Sequence, residues 1–250
     1  KQDYREATET FDFITKKFED PLEYEALLWY VRARHEQKRF DETVAVLDMI
    51  SSKSGKDQVT KYTVQTLPLI YADYYLKQGQ FEQAAKYLKE GIAKNKNKKI
   101  RYRLTYILAQ TEQRLMHLKE AGELYQKVIK MNPPYVMTFN ARISMAKCFD
   151  AESGNSKFIK GEMLKMLKDI KNAEYLDQIY FALGEIYLKE KDTTEALKNF
   201  EMSASSSDKN LKQKAITLLT IADLYYARPD YENAQSYYDS TMQYLPKEYP

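Results

Sequence analysis

The feature that most constrains this chain is a small residue that returns at nearly even intervals. Leu183-Gly184 is followed by Tyr187, then Ala196, then Phe200, and the same spacing recurs four times more. Ile221-Ala222, Tyr225, Tyr231, Ala234, Tyr238 and Pro246 form one copy; Tyr71-Ala72, Tyr75, Gly79, Phe81, Ala84 and Leu88 form another. Leu108-Ala109, Leu118, Ala121, Tyr125 and Pro133 make a third, and Tyr30-Val31, Phe40, Thr43, Leu47 and Ile50 a weaker one. Measured between second-helix positions Ala7, Thr43, Ala84, Ala121, Ile159, Ala196 and Ala234, the intervals are 36, 41, 37, 38, 37 and 38 residues. A period in this range signals stacked supersecondary units, none of which buries its apolar face alone.

That spacing is the pattern of a tetratricopeptide repeat, whose usual period is about 34 residues. Two helices pack antiparallel, and the small residue on the first (Ala72, Ala109, Gly184, Ala222) lets the second approach through its own alanine. The residue four positions on (Leu88, Tyr125, Phe200, Tyr238) fills space against the next unit. The expected fold is all-α: an α-solenoid of about six and a half helical-hairpin repeats, coiled as a right-handed superhelix and forming one domain over 1–250. The extra residues per period are expected in the connections, the longest being the polar stretch from Ser51 to Asp57. The unit around Ile159 is irregular, with Ser153-Gly154-Asn155-Ser156 widening its turn and Gly161 inside its second helix. The chain opens in the second helix of a truncated repeat, as a piece of a longer protein would.

Composition agrees. The 250 residues carry 39 Lys plus Arg against 36 Asp plus Glu, a net charge of +3, which gives no global pull toward nucleic acid or an anionic membrane. Seven Gly and seven Pro are too few for a turn-rich β fold. No apolar run approaches the ~18 residues of a membrane span.

No catalytic constellation is legible. There is no phosphate-cradling loop, no Gly-x-Ser-x-Gly elbow and no zinc spacing. His35 and His117 lie in different units, and Cys148, the single cysteine, reads as a packed thiol. No enzyme activity, cofactor or metal is expected. Seven of the 22 tyrosines (Tyr71, Tyr75, Tyr125, Tyr187, Tyr225, Tyr231, Tyr238) fall on repeat-core positions and read as packing.

In this architecture first helices line the concave surface. Counting along them places Arg32, Asp73, Lys77, Arg103, Tyr106, Gln110, Arg114, Phe181, Glu185 and Tyr226 on that face, with Glu36, Leu69, Gln113, Ser144, Leu219 and Asp223 beside them. Mixed charge, amides and aromatics suit an extended peptide or a partner's helix. A second candidate is a basic patch, Lys94, Lys96, Lys98, Lys99 and Arg101, within a stretch from Gly91 to Thr111 that holds no acid. Cations at a helix start oppose the macrodipole, so folding does not explain them, and an acidic partner segment would. Nucleic acid fits poorly, because no aromatic ladder interleaves these lysines.

Several strings go beyond the generic repeat: Arg101-Tyr102-Arg103 with Tyr106-Ile107-Leu108-Ala109-Gln110; Asn132-Pro133-Pro134-Tyr135 with Phe139-Asn140-Ala141-Arg142-Ile143; Leu176-Asp177-Gln178-Ile179-Tyr180; and Tyr237-Tyr238-Asp239-Ser240-Thr241. Over Leu27 to Pro250 they resemble the PorW/SprE lipoproteins of the Bacteroidetes type IX secretion and gliding machinery. That resemblance implies a non-enzymatic assembly factor with secretion-machinery partners. It also implies a lipid anchor in the full-length protein at the periplasmic side of the outer membrane, with no membrane insertion by this segment. Open alternatives are a general peptide-binding or chaperone-type adaptor and a sensory repeat segment of a larger regulatory protein. The Lys/Asn/Arg clamp that takes a C-terminal carboxylate is not found on the inner positions.

Overall fold

The computed structural model describes residues 4–17, 21–41, 43–53, 59–149 and 156–244, and every regular element among them is helical. In chain order these are α1 (Tyr4–Lys17), α2 (Pro21–Glu36), α3 (Thr43–Lys53), α4 (Lys61–Lys77), α5 (Phe81–Lys94), α6 (Lys98–Arg114) and α7 (Leu118–Lys130). Then follow α8 (Tyr135–Lys147), α9 (Ser156–Lys168), a short 3-10 helix (Ile170–Tyr175), α10 (Leu176–Lys189), α11 (Thr193–Ser206), α12 (Leu211–Tyr226) and α13 (Tyr231–Tyr244). Thirteen α-helices among the described residues are the six and a half hairpins that the repeat spacing calls for. They fall into two compact units, Lys1–Pro133 and Pro134–Pro250.

Within each unit every helix packs on the next, and first helices also meet the following first helix: α2 on α4, α8 on α10, α10 on α12. The small residues make this possible. Ala84, Ala109, Ala121, Ala196 and Ala222 have no exposed surface. At Gly184 even a methyl group would not fit, since a Cβ there would lie 2.5–2.9 Å from three ring carbons of Phe200. Phe200 is itself fully buried among Phe181, Ala196 and Ile221. In the first unit Leu28, Val31, Leu47, Ile50, Leu67, Ile70 and Tyr71 form one core cluster. Each fully buried Leu or Ile contributes about 1.5–3 kcal/mol, so the stacked seams rather than single helices carry the fold.

The helices begin at polar caps. Thr60, Asn97, Asp192 and Asn210 accept hydrogen bonds from backbone N–H groups of the first turn, satisfying donors with no intrahelical partner. The turn inside a hairpin is a repeated left-handed cap. Residues Lys38, Gly79, Met116 and Lys191 have φ of 59°, 71°, 61° and 65°, and the following N–H reaches five residues back, as from Gln80 to Tyr75 and from His117 to Glu112.

Several expectations need correction. Ser51, Ser52 and Lys53 close α3 instead of opening a polar loop, and 54–57 lie outside the described residues, as do 153–155 and Pro246. Ser156 starts α9 rather than widening the turn. Gly161 does lie inside α9, as expected, with nothing within 4 Å of where its Cβ would sit. The 3-10 helix before α10 had no forecast; it holds part of the extra length there, pinned by Asn172, whose amide donates to the Met166 carbonyl and whose oxygen accepts from Tyr135. Tyr231 is 59% exposed and is not core, because it caps the start of α13 against the ring of Tyr226.

Candidate functional site

In the first unit α2, α4 and α6 are the first helices of their hairpins, and α2 packs on α4. Lys77 on α4 reaches Glu36 on α2 at 2.7 Å and Asp73 on its own helix at 3.1 Å. Asp73 also faces Nδ1 of the fully buried His35 at 3.2 Å, and His35 Nε2 lies 3.3 Å from Thr43, whose hydroxyl donates to the Phe40 carbonyl. Burial works to raise the Asp73 carboxyl, but the His35 contact and the Lys77 ammonium outweigh it and hold the group below its usual range. These charges are therefore spent on one another. Arg32 lies exposed over the Trp29 ring at 5.1 Å.

α6 differs. Its buried side carries Tyr102, Leu104, Thr105, Leu108, Ala109, Thr111 and Glu112. Its exposed stripe carries Lys99, Arg103, Gln110 and Arg114, with half-buried Tyr106 between them set edge-on against Tyr125 at 5.7 Å. Spacings of four, three, four and four residues keep these five on one helical face. Arg114 sits over the Phe81 ring at 5.2 Å. Lys99, Arg103 and Arg114 pair with no carboxylate among the described residues.

The basic patch divides. Lys94 ends α5 and is paired with Glu90 at 2.7 Å. Lys96, Lys98 and Lys99 are exposed, while Arg101 is half-buried with its Nε shielded from water and without a hydrogen bond. Lys99 thus lies on the same exposed stripe as Arg103.

In the second unit Phe181 is 8% exposed and packs on Phe200 at 5.3 Å between ring centres, so it is core and cannot serve as a surface anchor. A large ring was needed there to fill the space left by the Ala196 and Gly184 approach. Glu185 is half-buried with one carboxylate oxygen lacking a hydrogen-bond partner. Burial pushes its carboxyl above the usual carboxylate range, against the ammonium groups of Lys147 and Lys189. Lys189 itself caps α8, donating to the Lys147 and Phe149 carbonyls. Tyr226 is 60% exposed.

One cluster escaped sequence reading. The buried Glu112, the exposed His117 and the more accessible Glu120 bring ligand atoms within 4.8 Å of one another. The position a metal would take is filled by the Lys89 ammonium, 3.0 Å from both Glu112 and Glu120. Burial raises the Glu112 carboxyl, yet the His117 and Lys89 contacts bring it below its usual range. These partners come from α5, α6 and α7, and no local spacing announces them. Cys148 is buried and its thiol is pushed up to about 11 by burial, partly offset by Lys189, so at neutral pH it is not a thiolate nucleophile.

A family model described as Integrator complex subunit 8, TPR repeats, matches residues 92–242, and a tetratricopeptide repeat model matches 1–54. No curated protein matches the sequence. Among solved structures, the apo form of RapI is similar with a TM-score of 0.67 at 14% identity, over 88% of this chain and 65% of RapI; the chain thus spans less than two thirds of that protein. The apo quorum sensor NprR from B. thuringiensis is similar with a TM-score of 0.64 at 16% identity, over 96% of this chain and 70% of NprR, and NprR has also been solved in complex with its cognate peptide NprX. A tetratricopeptide repeat protein from Parabacteroides merdae has a TM-score of 0.54 at 16% identity, over 98% of this chain and 88% of its own.

Proposed function

As the chain belongs to the tetratricopeptide-repeat family, in the group described as Integrator complex subunit 8, TPR repeats, we propose that it works as a non-catalytic scaffold that docks a protein segment on the exposed face of its first helices. The observation that carries this reading is the α6 stripe. A rigid helix, fixed by a buried face of seven residues, holds Lys99, Arg103, Gln110 and Arg114 toward solvent in one row, with half-buried Tyr106 among them. A preformed row lets a partner dock without ordering the receptor, which lowers the entropic cost of association. NprR, a fold neighbour, takes a cognate peptide, which makes peptide docking the reading to test first. Crosslinking mass spectrometry on the protein purified from its native cells is the test. Crosslinks to partner proteins from Lys77 and Lys99 on first helices support it; crosslinks confined to Lys86, Lys119 and Lys127 on second helices count against it.

A narrower proposal rests on the strings that resemble the PorW/SprE lipoproteins: the protein is a periplasm-facing assembly component of type IX secretion, anchored by lipid to the outer membrane. The same purification tests it. Recovery of envelope secretion subunits supports it, and recovery of cytosolic partners alone overturns it while leaving the docking reading intact.

A further inference from the structure

We infer that the α6 stripe is a docking surface for an acidic peptide segment. This rests on the docking reading above and adds the chemistry of the occupant.

Charge balance within the first unit carries the argument. On its helices Lys77 lies between Glu36 and Asp73, Lys89 between Glu112 and Glu120, and Lys94 on Glu90, whereas Arg32, Lys86, Lys119 and Lys127 have no carboxylate partner among the described residues. What sets α6 apart is that three of its cations without carboxylates lie in one row. On the α6 stripe Lys99, Arg103 and Arg114 have none, and residues 91–111 contain no acid. Lys99 and Arg103 are like charges one turn apart, and Lys99 sits in the first turn, where the helix macrodipole already repels it. Both arrangements cost folding stability, so the fold does not explain Lys99 and Arg103, whereas Arg114, in the last turn and over the Phe81 ring, is placed favourably and extends the row. An acidic partner would turn that repulsion into attraction.

Geometry narrows the occupant. Lys99 to Arg114 spans about 22 Å of helix. An extended peptide covers that length with about six or seven residues. Three cations then face carboxylates along the strand, and the Gln110 amide, which both donates and accepts, can bond its main chain. A nucleic acid fits less well: the stripe is one helix wide, and Tyr106, its only ring, is half-buried against Tyr125 and offers no stacking ladder.

Fluorescence anisotropy on the full chain tests this, with a labelled peptide of about twelve residues rich in Asp and Glu. Two further probes are the same peptide with Gln and Asn in place of every acid, and an oligothymidylate. The acidic peptide is expected to bind at least about tenfold more tightly than its neutral counterpart. Its binding should weaken as ionic strength rises from about 0.05 to about 0.5 M. Arg103→Glu/Arg114→Glu should reduce affinity at least about tenfold with unchanged far-ultraviolet circular dichroism, and Arg103→Gln/Arg114→Gln should fall between. Gln110→Trp, a bulky group on an exposed position, should block any ligand on the stripe. Equal binding of acidic and neutral peptides, both lost in Gln110→Trp, would overturn the acidic inference and leave the docking reading standing. Binding that Gln110→Trp leaves intact would overturn the stripe as the site, and no binding by either peptide would overturn the acidic inference, with the crosslinks from Lys77 and Lys99 deciding the docking reading. Tighter binding of the oligothymidylate would overturn the choice of occupant.

Discussion

Replacing Gly184 with alanine is an unusually clean perturbation, because two opposing terms can be weighed separately. In an exposed helix Gly to Ala stabilises by about 0.8–1 kcal/mol. At Gly184 the new methyl would lie 2.5 Å from Phe200 Cε1, 2.6 Å from Cδ1 and 2.9 Å from Cζ, against an ordinary carbon contact of about 3.5–4 Å. The ring has nowhere to go: it is fully buried against Phe181, Ala196 and Ile221. Overpacking of this kind costs about 1–3 kcal/mol or more, and displacement of a ring by about 1 Å belongs at the upper end. The net expectation is destabilisation of about 2 kcal/mol. Gly161→Ala supplies the control, since no atom lies within 4 Å of its Cβ position; there the propensity gain stands alone and should stabilise by about 0.5–1 kcal/mol. Gly91→Ala falls between, because its clash at 2.6 Å is with the end of the Leu69 side chain, which can rotate. Urea unfolding followed by circular dichroism measures all three, read at the transition of the affected unit if the units melt separately. Gly184→Ala together with Phe200→Leu should cost less than the two single changes added. Equal stability of Gly184→Ala and Gly161→Ala would refute the close-approach reasoning.

Ala196→Glu places a charge where no surface is exposed and should cost several kcal/mol, lowering the urea midpoint far more than Lys198→Glu on the same helix. Asp73, Glu112 and Glu190 are each held below their ordinary ranges of 3.8 for Asp and 4.5 for Glu, burial notwithstanding, by their His, Lys or Ser partners. The unfolded chain therefore binds more protons between the folded and unfolded values, so stability is present above about pH 5 and is lost as pH falls through the folded values. Urea midpoints compared at pH 7 and pH 3 check this, and Glu112→Gln should flatten the difference. Cys148, with its thiol near 11, should be on the order of a thousandth thiolate at pH 8, so native labelling by a disulfide reagent should be far slower than in urea. A native rate within a few-fold of the unfolded one would contradict its burial.

The hairpins were legible because their signal is periodic and local: Gly184, Ala196 and Phe200 stand at fixed offsets, and each offset has one packing reason. The turn geometry was legible only at Gly79. Lys38, Met116 and Lys191 hold the same left-handed backbone without a glycine to announce it, at a cost the repeated cap hydrogen bonds offset. The surface was harder. Phe181 counts onto the same helical positions as Tyr106, but burial there depends on how closely the next hairpin approaches, and Gly184 brings Phe200 close enough to enclose it. The pairing of Lys89 with Glu112 and Glu120 joins three helices and leaves no trace in spacing. Conversely, the basic cluster around Lys99 was visible in sequence, and only its coordinates separate satisfied Lys94 from the row that continues to Arg114.

The most direct measurement places a photo-crosslinking residue at Gln110, on the α6 stripe, and in a second variant at Glu123, on the exposed side of α7, in the protein in its native cells. A partner protein crosslinked through Gln110, and lost when Arg103 and Arg114 are made acidic, is the result expected of a scaffold that docks through its first helices. Equal crosslinking from both positions, or crosslinking through Glu123 alone, would contradict it.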